Sequence, residues 1–83
     1  MDKKYSKEQI YEKIVEILVN DFEAKKESIS LQTRFFEDLD FDSIDAVDLA
    51  VRLQQYTDKK MSPEKFKSIR TIEDVVNALY ELI

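Results

Sequence analysis

The chain has no glycine, no cysteine and no histidine among its 83 residues, and only one proline. Without cysteine there is no disulfide framework, no thiolate metal site and no internal thiol chemistry. Without histidine, the commonest general base for a serine or cysteine nucleophile is missing. Without glycine there is no Gly-x-Ser-x-Gly elbow. Any turn that needs positive φ then falls to Asn or Asp, with Asn20, Asp21 and Asp40 as the candidates. No apolar run approaches the roughly 18 residues of a membrane span, and the opening MDKKYSKEQ lacks the apolar core of a signal peptide. A soluble cytoplasmic protein is the expectation.

What is present is an ordinary globular composition, 43% hydrophobic and 37% charged. A chain of this length forms one domain, and it buries only about 60% of the surface its unfolded state exposes. Its charge is unevenly placed. Residues 37–48 hold six acids (Glu37, Asp38, Asp40, Asp42, Asp45 and Asp48) and no Lys or Arg, so a net charge of −5 leaves the other 71 residues at +1. Such a patch repels nucleic-acid phosphates and suits a basic protein surface, since complementary charge speeds encounter and sets orientation.

Hydrophobic periodicity predicts helices with open loops. Ser6 and Gln9 fit a capping box, with Tyr5 and Ile10 placed as a hydrophobic staple. Ile10, Ile14, Ile17 and Leu18 then recur at helical spacing, widened by Tyr11 and Val15, and predict a helix from Lys7 to Val19. Residues 21–41 read as a long loop whose Ile29, Leu31, Phe35, Phe36 and Leu39 plug one end of the core. A second helix runs from Ser43 to about Tyr56. Its apolar side chains cover roughly 240° of arc, where one core-facing stripe needs a little over 100°. Leu49, Ala50, Leu53 and Tyr56 form the inward set. Ile44, Val47 and Val51 are a spare apolar strip flanked by Asp48, which suggests a docking surface. Ser62 and Pro63 open a short helix that ends before Arg70. Thr71 and Asp74 cap a last helix whose stripe is Ile72, Val75, Val76, Leu79 and Ile83. The expected architecture is an all-α four-helix bundle, three helices long and one short, with a long loop between the first two.

Ser43, set between Asp42 and Asp45, is the residue that invites chemistry. A serine hydrolase would need a base and oxyanion donors, and six acids oppose an alkoxide or oxyanion there. Asp40, Asp42 and Asp45 resemble the start of an EF-hand loop, but Ile44, Asp45 and Val51 stand where an oxygen ligand, glycine and glutamate are required. Neither catalysis nor a dedicated metal site follows. The residues alone leave two readings of Ser43: a helix N-cap in an acidic loop, or a site that another protein modifies.

The run Glu37-Asp38-Leu39-Asp40-Phe41-Asp42-Ser43-Ile44-Asp45-Ala46-Val47-Asp48-Leu49 resembles the signature of acyl carrier proteins, an acidic D-S-L-D/E core followed by an apolar, acid-flecked helix. Length, helix order, the long first loop and the late Ile69, Thr71 and Ile72 also resemble that family. The resemblance implies that Ser43 receives 4′-phosphopantetheine from coenzyme A through a phosphodiester made by a phosphopantetheinyl transferase. The prosthetic thiol then holds acyl groups as thioesters, which accounts for the missing cysteine and histidine. It further implies recognition by Asp42 and Asp45 beside the serine. Glu37, Asp38, Asp40, Asp48, Ile44, Val47 and Val51 would meet the basic, apolar-centred faces of ketosynthase, acyltransferase and other pathway enzymes. Leu49, Leu53 and Leu79 would line an interior that can shelter an acyl chain, and the carrier would be discrete and monomeric.

Three departures from the family pattern stand out. Asp40 and Phe41 occupy positions where glycine and a small residue are frequent. Lys59, Lys60, Lys65, Lys67 and Arg70 make the third-helix region basic, a feature closer to carriers of accessory pathways such as aryl-polyene-type lipids. The leading expectation is a carrier for fatty-acid, polyketide or related lipid synthesis. The alternatives are an aminoacyl or peptidyl-type carrier, against which the Asp42, Asp45 and Asp48 set argues, and an unmodified helical interaction module.

Overall fold

The computed structural model describes residues 4–60 and 68–83. Among them are four α-helices and one 3₁₀ turn, in the order α1 (Lys7–Asp21), the 3₁₀ turn (Lys26–Ser28), α2 (Phe35–Asp38), α3 (Ser43–Thr57) and α4 (Ile72–Leu82). The fold is all-helical, as the periodicity predicts. The short helix expected after Pro63 falls mostly outside the described residues, as do Lys65 and Lys67. The one-turn α2 lies within the stretch expected as loop, because four residues are too few to show a helical period.

Three capping boxes start the three long helices. The Gln9 N–H donates to Ser6 Oγ at 3.1 Å while the Ser6 N–H donates to Gln9 Oε1 at 2.9 Å. Thr71 and Asp74 repeat the arrangement at α4, and a third box opens α3. Each satisfies two N–H groups that the first turn would otherwise leave without partners. Tyr5 stacks on Tyr56 at a ring separation of 4.4 Å, tying the chain's start to the end of α3.

Asn20 and Asp21, expected to make a positive-φ turn, continue α1 instead, and Glu23 takes that conformation at φ 59°. Asp40, at φ 56°, does adopt it, and Asp58, at φ 57°, ends α3. Asp and Asn reach this region at less cost than most residues because their short polar side chains bond locally. Glu23 has no such advantage. It is held by the Ala24 N–H, which donates back to the Leu18 carbonyl at 2.9 Å.

The core gathers Ile10, Ile14 and Leu18 of α1, Leu49 and Leu53 of α3, and Ile72, Val75 and Leu79 of α4, all but fully buried. α1 packs principally on α4. The long loop closes one end only in part: Ile29 and Phe35 are buried and Leu39 half-buried, whereas Leu31 and Phe36 are exposed. Its backbone is stitched to the start of α4, with Phe35 N–H donating to Arg70 O and Ile72 N–H to Thr33 O, both at 3.0 Å. The buried Thr33 hydroxyl donates to Ser28 O at 3.1 Å and accepts from Ser30 N–H at 2.8 Å. A loop with no regular ladder therefore keeps its interior polar groups bonded. Phe41 turns inward and packs against Phe22 and Phe35 at 5.0 and 5.4 Å.

Two carboxylates make this stitching acid-sensitive. Asp38 is held below its ordinary range chiefly by the Arg34 N–H, then by the Arg34 side chain. Asp74 is lowered chiefly by the N–H groups of Arg70 and Thr71. A carboxylate bound this way contributes stability above its unfolded value of 3.8 and loses it as pH falls through the lower folded value. The urea midpoint is therefore expected to hold from neutrality to about pH 5 and to fall toward about pH 2, with Asp74→Asn flattening that decline. Equal slopes in the two proteins would refute this assignment.

Candidate functional site

The start of α3 is built by Asp42, not by Ser43. The Asp45 N–H donates to Asp42 Oδ1 at 2.9 Å and the Asp42 N–H donates to Asp45 Oδ2 at 3.3 Å. Asp42 is thus the N-cap and Ser43 the first helical residue. The reading of Ser43 as a helix cap is overturned, because a carboxylate one residue earlier already holds the N–H that a serine cap would have taken. Ser43 is exposed, and its hydroxyl has no hydrogen-bond partner among the described residues. The backbone N–H groups of Ser43 and Ile44 also find no acceptor there. The result is a free hydroxyl beside two free donors, at the positive end of a 15-residue helix.

Below the serine, α3 divides as the periodicity predicts. Ala46, Leu49 and Leu53 face inward with Thr57, while Ala50 and Tyr56 are half-buried. Ile44, Val47 and Val51 lie on the opposite side, 76%, 62% and 45% exposed. With Ser43 and Asp48 they line a shallow open depression along the helix. Three aliphatic side chains left in water on a helix that already has an apolar inner face need a partner.

The six acids do not form one uniform field. Arg34 pairs with Glu37 and reaches Asp38 at 3.4 Å, and the guanidinium is held above its ordinary range mainly by its hydrogen bond to Asp38. Arg52 Nε lies 3.3 Å from Asp48, without hydrogen-bond geometry, while its Nη1 donates to Asp21 at 2.9 Å. Its guanidinium also sits 5.9 Å from the Phe22 ring. Asp40, Asp42 and Asp45 pair with no cation among the described residues. Both arginines lie outside residues 37–48, so the charge of that run taken alone does not show them. The local spacings Arg34–Glu37/Asp38 and Asp48–Arg52, three or four residues apart, carried the signal. The Arg52–Asp21 pair, 31 residues apart, carried none. Among the described residues no three acids converge as metal ligands would.

The chain matches the family model described as phosphopantetheine attachment site over residues 12–79. The chain belongs to the acyl carrier protein family. It is 43% identical to acyl carrier protein 2 of Ralstonia nicotianae over 75 residues, covering 90% of this chain and 93% of that one. It is 39% identical to the acyl carrier protein of Phytoplasma australiense over 67 residues, 81% of this chain and 88% of that one. The fold is that of the acyl carrier protein from Thermotoga maritima, with TM-score 0.82 at 23% identity, covering 98% of this chain and 94% of that one. It is equally that of the protein from Enterococcus faecalis, with TM-score 0.81 at 22% identity, covering 95% and 100%. As a carrier protein it is not an enzyme, and the prosthetic group of this family is covalent 4′-phosphopantetheine. No helix among the described residues is long and apolar enough to cross a membrane.

The start of α3 fits that group. A phosphodiester on the Ser43 hydroxyl would meet the unbonded N–H groups of Ser43 and Ile44 and the favourable end of the helix dipole. Nothing must be broken to reach the oxygen.

Proposed function

We propose that Ser43 is the attachment residue, and that the chain carries acyl intermediates of a fatty-acid, polyketide or related lipid synthesis. The observation that supports this most is the division of labour at the start of α3: Asp42 and Asp45 do the capping, so the exposed hydroxyl has no structural task. The bound group supplies a thiol on which acyl chains ride as thioesters. The chain's own residues present it. α3 fixes the position and direction of the serine, and the Phe41 ring, buried against Phe22 and Phe35, anchors the turn before it. Asp40, Asp42 and Asp45 set the approach of a phosphopantetheinyl transferase and of pathway enzymes such as a ketosynthase or acyltransferase, by attracting cations on their surfaces. Ile44, Val47 and Val51 then lose water against an apolar groove. The reading keeps the single-domain, monomeric, cytoplasmic carrier expected from the sequence.

Intact-protein mass before and after incubation with coenzyme A and a broad-specificity transferase tests this. The expected result is a gain of one phosphopantetheinyl group, mapped to the peptide containing Ser43, at a rate that falls as salt is raised. A folded, unmodified chain that gains nothing would leave the adaptor reading.

A further inference from the structure

Acids that already hold a cation cannot offer full charge to a partner, and this surface is divided on that basis. Glu37 and Asp38 share Arg34, and Asp48 shares Arg52 with Asp21. Both arginines are anchored. Arg34 is bound to two carboxylates of its own helical turn, and Arg52 is bonded to the end of α1 and rests near Phe22. Beyond Asp48, α3 carries Val51, Arg52 and the neutral Gln54 and Gln55 toward solvent, and the next acid is Asp58 at its far cap, so no free acid lies within the helix below Asp48. The unpaired charge is concentrated at Asp40, Asp42 and Asp45, within three residues of Ser43.

Building on Ser43 as the attachment residue, we infer that Arg34 and Arg52 are specificity-determining residues that mask the flanks of the acidic patch. The carrier then selects enzymes whose Lys and Arg side chains cluster at the active-site mouth, with an uncharged apolar groove beyond. An enzyme whose cations extend alongside the whole helix would meet Arg52 instead, and like charges placed face to face disfavour that pairing. The masking is an equilibrium between exposed groups, so it shifts affinity without abolishing it.

The test measures transfer from coenzyme A by a broad-specificity phosphopantetheinyl transferase, with the carrier as varied substrate, at about 50 mM and about 500 mM salt. Arg34→Gln and Arg52→Gln are expected to lower the KM for the carrier about two- to fivefold at low salt and to match the native chain at high salt. Arg52→Lys, which keeps the charge, should keep the native KM. Asp48→Asn should change KM little in the native chain but about two- to fivefold in the Arg52→Gln background, the non-additivity expected if the two groups compensate each other. An unchanged or raised KM in both glutamine variants, or a lowered melting temperature with no salt-dependent KM change, would overturn the inference. Failure of the native chain to be loaded would instead remove the reading of Ser43 on which it rests.

Discussion

Ser43→Ala is expected to abolish phosphopantetheine loading and to leave stability within about 0.5 kcal/mol of the native chain. The second half of this expectation separates the two original readings of the residue. Were Ser43 the N-cap, alanine would remove a hydrogen bond to the first turn and cost about 1 kcal/mol. The bonds at the start of α3 run between Asp42 and Asp45. Alanine at the first helical position therefore removes only an unbonded hydroxyl, and alanine is the best helix former. Urea denaturation and intact mass on the same two proteins give both readouts. Loading that persisted in the alanine variant would place the group elsewhere. A loss of more than about 1 kcal/mol would restore the capping role.

A single charge on the apolar strip has the next largest effect. Val47→Arg is expected to lower, on the order of 100-fold, the rate of transfer to a partner with an apolar groove, because an unpaired guanidinium must then give up its water against that groove at a cost of several kcal/mol. Val47 is 62% exposed, and arginine is a good helix former, so the fold tolerates the change. The control is Glu16→Gln on α1, which alters net charge by the same one unit on an exposed residue remote in sequence from the strip. It should slow transfer less than about twofold if placement rather than total charge matters. Equal effects from both variants would reduce docking to long-range attraction and take the strip out of the account.

The amino-acid sequence by itself determined the features that depend on near neighbours along the chain. Capping boxes at Ser6–Gln9 and Thr71–Asp74, the buried stripes of α1 and α4, and the two-sided apolar arc of α3 all follow from spacings of three, four and seven residues. The unusual position of Ser43 was legible in the same way. The residue type at the cap was not, because Asp42 and Ser43 are nearly equal N-cap formers and differ by one place. The reciprocal bond selects between them: Asp45, three residues after Asp42, accepts from the cap N–H, whereas Ala46, three residues after Ser43, has no acceptor to offer.

Tertiary structure alone decided what became of the loop and of the Arg52–Asp21 pair. Phe35 and Phe41 are buried while Phe36 is exposed, although all three are equally apolar. Packing against Phe22 and the backbone bonds to Arg70 and Thr33 choose which rings turn inward. Arg52 is likewise an ordinary helical cation until the fold brings Asp21 within 2.9 Å of it, from 31 residues away. Local propensity acts over a few residues and sets where helices can lie. Burial and the Arg52–Asp21 pair join residues distant in sequence, so that part of the charge beside Ser43 was settled only once the helices were in contact.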